Sequence, residues 1–161
     1  MNVSNLAFYI GKSANQNVLI YSFNILESGN IDVFRPLDLY WIMREKSGNP
    51  TESLTAFEDK YFNYDIDIDP SSSDIIVKIR AFPAQPIIIR KTEDKHHAFI
   101  KQNGKDVYLK KLFIHTSGMM NLTVDQLDII YQTTESKKLF TEKIKRPDGG
   151  WENESVDSGS L

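Results

Sequence analysis

Apolar and polar residues alternate with a period of two along most of this chain, and the alternation restarts after nearly every break. Successive side chains of a strand leave on opposite faces, whereas one face of a helix recurs every three to four residues. The pattern therefore restricts the chain to a fold made mainly of β-strands. The segments predicted as strands are 7–12, 18–26, 37–45, 64–69, 74–82, 86–92, 96–102, 105–116, 126–134 and 136–146. Glu27-Ser28-Gly29-Asn30 punctuates the series as a turn, because its residues tolerate the backbone angles a reversal needs. Asn103-Gly104, between two alternating runs, is the strongest short-range hairpin signal, since both positions of a two-residue type I′ turn need positive φ.

Two departures from the alternation carry information. After the break Lys46-Ser47-Gly48-Asn49-Pro50, Leu54, Phe57 and Tyr61 recur at helical spacing. They predict a single helix over 51–63, capped by Thr51 or Ser53. Farther on, Val107 and Leu109 share one parity while Leu112 and Ile114 take the other. An extra residue at Lys110-Lys111, a β-bulge, is the economical explanation. About nine or ten short antiparallel strands with short connections favour a β-barrel, because closure removes exposed edges. A two-sheet β-sandwich is the competing arrangement.

The 161 residues suit one domain, assigned to 1–146. Residues 147–161, with Gly149-Gly150, four acids and no base, read as a mobile acidic tail. The chain has no cysteine, which excludes disulfides, thiolate metal sites and a cysteine nucleophile. Its first residues lack a basic segment ahead of an apolar one, and no apolar run approaches the ~20 residues of a membrane helix. A cytoplasmic location is expected. Charge is unevenly spread: residues 1–74 hold 5 basic and 11 acidic side chains, and residues 75–146 hold 14 and 7. Such polarity can steer an anionic partner, or the two halves can neutralise each other.

Phe8-Tyr9-Ile10-Gly11-Lys12-Ser13, Asn15, Asn17 and Tyr21 resemble one known family, as do Gly29-Asn30-Ile31-Asp32, Pro36 and Tyr40-Trp41-Ile42. The similarity continues through Leu54, Glu58 and Tyr61 and the Asn103-Gly104 hairpin to Leu112-Phe113-Ile114. The family is the uncharacterised domain of unknown function 4833, and the resemblance spans about 6–145. It departs at Phe62-Asn63-Tyr64, where the family has Tyr-Gly after the helix. The resemblance implies a compact β-rich domain and carries over no catalytic residue.

Motifs for chemistry are sparse. Asp65, Asp67 and Asp69 imitate the opening of a calcium loop, but Pro70 and Ile76 stand where that loop needs Gly and Glu. His96 and His97 leave a strand on opposite faces, so they cannot share one ion undistorted. Ser117-Gly118 lacks the context of a nucleophile elbow, and the glycines form no phosphate loop. No metal or cofactor is expected. Tyr9, Tyr21, Tyr40, Trp41 and Phe99 could line a cavity for a small apolar ligand, although such rings more often fill a core; a mid-strand Trp41 would also want a partner for its indole N–H. Arg90, Lys91, Lys110, Lys111, Lys137 and Lys138 could form a patch for an anionic protein or membrane surface, against the alternative of a solvated surface. Sequence-specific nucleic-acid binding is not expected, for want of interleaved aromatics. The favoured reading is a non-catalytic binding module. A small enzyme with a dispersed site and a structural subunit are its rivals, and a homo-oligomer is compatible with either.

Overall fold

The computed structural model describes residues 2–121 and 123–151. Positions 152–161 of the expected tail lie outside the described residues. Among the described residues eleven strands carry the period-two signal into structure. In chain order, β1 is Leu6–Lys12, β2 Val18–Phe23, β3 Leu37–Ile42 and β4 Thr51–Glu52. After helix α1 (Ala56–Phe62) come β5 Tyr64–Ile68, β6 Ile75–Ile79, β7 Ile87–Thr92 and β8 Lys95–Gln102. Then follow β9 Lys105–Ser117, β10 Thr123–Gln132 and β11 Leu139–Lys145. The protein is mainly β, and its ladders are antiparallel except for a parallel pair between β1 and β9.

The strand order β4-β3-β2-β1-β9-β8-β7-β6-β5, with β10 on β9 and β11 on β10, corrects the barrel expectation. No ladder joins β4 to β5 among the described residues, so the sheet is open. The reason lies in β9, whose 13 residues serve three neighbours. One edge follows β10, while the other pairs β8 through Lys105–Tyr108 and β1 through Lys111–Ile114. Two wings thus diverge from one strand instead of rolling shut.

The hand-over falls on the expected bulge. Ile130 pairs with Lys111 and Tyr131 with Leu109, leaving Lys110 as the extra residue. The added residue shifts the parity, so Val107, Leu109, Leu112 and Ile114 are all buried on one side. Phe8, Leu19, Tyr21 and Trp41 of one wing join Ile75, Val77, Ile89 and Ile100 of the other in a single apolar cluster. Burial of this kind is worth roughly 1.5–3 kcal/mol per large side chain, and it is what holds the wings face to face.

The helix is shorter than expected. Thr51–Glu52 is a strand fragment paired with Trp41 and Ile42. The cap is Thr55, whose hydroxyl accepts from the Glu58 N–H while the Glu58 carboxylate accepts from the Thr55 N–H. Thr-x-x-Glu satisfies two orphan N–H groups reciprocally, which neither Thr51 nor Ser53 would do. Beyond β11 the chain also stays folded as far as Trp151, whose indole donates to the Val124 carbonyl at 2.8 Å and meets the Phe82 ring edge-on at 5.4 Å. The packed chain therefore extends past the expected start of the tail at 147. Among the described residues no helix is long and apolar enough to cross a membrane.

Candidate functional site

The outer face of β7, β8 and β9 gathers ion pairs, stacked rings and cation–ring contacts. Its register follows from the hairpin turn: Asn103 and Gly104 take φ of 52° and 78°, and the ladder begins at Gln102 opposite Lys105. Counting back places Phe99 across from Tyr108 and Lys101 across from Asp106. On the other side of β8, Arg90 stands across from His97. Alternation then sends Arg90, His97, Phe99, Lys101, Asp106 and Tyr108 outward, opposite the buried Ile89, Ala98, Ile100 and Val107.

The rings form a contiguous stack. Tyr108 lies 5.1 Å from Phe99 and 4.9 Å from His97. Arg90 covers Phe99 at 5.2 Å, and Phe99 is only 3% exposed. The guanidinium itself is held by Asp74, at 3.0 and 2.8 Å, and by Asp106 at 2.7 Å. Those hydrogen bonds raise the Arg90 pKa further above its ordinary value. Burial pushes the Asp106 carboxyl up, but Lys101 and Arg90 outweigh it and hold the group below the usual carboxylate range. This end of the face is internally neutralised.

The end nearest the β7–β8 turn is not. Lys95 and Lys110 have no carboxylate within ion-pair distance among the described residues. The Lys110 ammonium lies 5.4 Å over Tyr108, and burial, with Lys95 nearby, lowers its pKa. His97 is lowered by burial and then by Lys95 and Lys110, with His96 adding slightly and Glu93 opposing. Two ammonium groups and the His97 imidazole thus crowd one rim of an aromatic patch. An arriving anion would relieve the repulsion between the lysines and favour protonation of the imidazole.

The proposed patch residues separate. Arg90 is ion-paired as described. Lys91, across from His96, shares the opposite face of β7. The bulge brings Lys110 and Lys111 both outward, but Lys111 belongs to the other wing, over Tyr9 and Phe113 at 5.4 and 5.0 Å. Lys137 and Lys138 stand in the irregular connection just before β11. Lys95, Lys101, His97 and Tyr108 were missed, although the Asn103-Gly104 turn and simple alternation suffice to place all four together.

The aromatic set separates as well. Tyr21 is wholly buried, stacked on Phe8 at 4.5 Å with its hydroxyl donating to the Phe62 carbonyl at 2.7 Å. Trp41, 5% exposed, donates to Glu58 at 3.1 Å and lies beneath the Lys12 ammonium at 4.4 Å. Tyr9 and Tyr40 flank Ile20 on the outer side of the first wing. A cavity of about 250 Å³ opens beside Trp151, lined among others by Tyr61, Val124, Arg146 and Gly150. That is below the ~300–1,000 Å³ usual for small-molecule sites. No three His, Asp or Glu side chains among the described residues are grouped to hold a metal ion.

Together these features define a small, mainly β protein with an open branched sheet and a basic, ring-lined outer face. The chain belongs to the family described as Domain of unknown function (DUF4833), whose model matches residues 8–143. No similar chain is found among curated proteins or among solved structures.

Proposed function

We propose that the protein is a non-catalytic binding module that docks an acidic segment of a partner protein on the outer face of β7–β9. The observation that carries this reading is the rim formed by Lys95, His97 and Lys110, where neither lysine is ion-paired among the described residues, Glu93 acts only at a distance on His97, and Tyr108 offers a half-exposed ring. A compact anionic group with an adjacent apolar contact fits such a rim. An extended polyanion fits less well, because Asp65 and Asp67 lie along the same side of the sheet and would repel it. Desolvated cations and a rigid ring are the usual anchors of a small interface.

The test is titration of a short fluorescent peptide that carries adjacent glutamates beside a leucine, at ~0.05 and ~0.5 M salt, where the Debye length shortens from ~14 to ~4 Å. Binding should weaken at least about tenfold with salt, and a similar loss should follow Lys95→Glu with Lys110→Glu. Binding that ignores both changes overturns this reading. Preference for anionic vesicles over the peptide would assign the rim to a membrane surface instead.

A further inference from the structure

The two ends of the sheet differ in a way that the fold makes complementary. Among the described residues β5 pairs only with β6, and β11 only with β10, so each leaves one edge without a ladder. On β5, Asp65 and Asp67 face outward, while Ile66 and Ile68, across from the buried Val77 and Ile75, remain 36% and 44% exposed on the core side. On β11, Lys143 and Lys145 face outward, and Ile144 stands across from the buried Leu127 on the core side. One edge therefore reads Asp-Ile-Asp and the other Lys-Ile-Lys, with the same faces outward and inward.

We infer that copies of this chain associate head to tail, β11 of one copy extending the sheet of the next along β5. Charged edges normally guard against strand addition. Here the guard is selective: β5 against β5 sets acid beside acid, and β11 against β11 sets base beside base. Only β5 against β11 places Asp65 and Asp67 beside Lys143 and Lys145 while continuing the apolar side through Ile66 and Ile144. The charges are only partly engaged: Lys143 stands across from Asp128 and acts on that carboxylate from a distance. Arg80 reaches only Oδ1 of Asp65, at 3.2 Å, and neither Lys143 nor Lys145 has an ion pair among the described residues. The third edge, β4, is two residues long and carries the Lys46–Glu52 ion pair, so it offers no such ladder. The uneven distribution of acids and bases along the sequence thus becomes a directional contact, heterologous in type and open to rings or filaments. It uses surfaces distinct from the β7–β9 rim and stands or falls separately from it.

Sedimentation velocity between roughly 10 μM and 1 mM, a range suited to a small interface, provides the test. At ~0.05 M salt the sedimentation coefficient should climb with concentration, and at ~0.5 M salt association should weaken about tenfold. Asp65→Lys with Asp67→Lys should stay monomeric alone, as should Lys143→Asp with Lys145→Asp. An equimolar mixture of the two should regain association, because each then carries the complement of the other's altered edge. Circular dichroism checks that each variant keeps its strands. The single exposed changes Asp67→Lys and Lys145→Asp repeat the swap if a double variant does not fold. A wild type that is monomeric throughout, or an assembly that the swaps leave unchanged, overturns the inference.

Discussion

Trp41 shows how one side chain joins three levels of organisation. Its ring is core, its N–H is satisfied by Glu58, and Glu58 also closes the capping box of α1. Trp41→Ala should therefore cost about 3–5 kcal/mol in chemical denaturation, the range for deleting a large buried aromatic. Trp41→Phe should cost less, since a ring still fills the core and only the indole N–H bond to Glu58 is lost. A cost under ~1 kcal/mol for the alanine variant would place the ring outside the core. The histidines yield a pH prediction. His96, lowered by burial and Lys91, and His97, lowered by burial, Lys95 and Lys110, both favour the neutral form in the folded chain. The unfolded chain takes up protons first as pH falls through about 6.5, so stability should decline from pH ~7 toward ~5. Asp106 and Asp128, held low against burial by Lys101 and Arg90 and by His115 and Gln126 respectively, add stability that is present above about pH 4 and lost below it. The melting midpoint should thus rise with pH throughout this range, and His97→Gln should flatten its upper part. A midpoint that rises on acidification from pH 7 would contradict the assignment.

At the scale of elements, the two hairpins of the β7–β9 face differ in turn chemistry. Asn103-Gly104 suits its type I′ turn, but the β7–β8 turn holds Glu93 and Asp94 at φ of 52° and 63°. Positive φ strains residues that carry a Cβ. Glu93→Asn with Asp94→Gly should stabilise the protein by about 0.5–1 kcal/mol, read from the denaturation midpoint. A loss of stability would mean that the two acids act through their charge beside Lys95 and His97. The bulge offers a second check. Deleting Lys110 would turn Leu112 and Ile114 outward and should abolish cooperative unfolding, whereas Lys110→Ala, which keeps the residue count, should be tolerated. The slip was legible from Val107, Leu109, Leu112 and Ile114 alone because parity is local. The cap was equally local, since Thr55-x-x-Glu58 spells it out, and reading Thr51 or Ser53 instead overlooked the reciprocal bond.

For the whole molecule, Trp151 closes the packed structure by joining the end of the chain to Phe82 and to the start of β10. Trp151→Ala should lower stability by about 1–3 kcal/mol, and Trp151→Phe by less, because the ring contact outlives the hydrogen bond. No measurable change would return residues 147–151 to the tail. The sequence by itself determined the strand content, the Asn103-Gly104 turn, the bulge and the partition of charge, because each rests on the period of a pleated strand or on the φ a residue tolerates. Only the tertiary structure decided that β1 lies parallel to β9, some hundred residues away, and that β9 divides one edge between two wings. It also paired Arg90 with Asp74 and Asp106, and left Lys95 and Lys110 without an ion pair among the described residues. Those outcomes turn on which distant strands meet, and the choice is made by burying one apolar face against another, to which no local pattern holds the key.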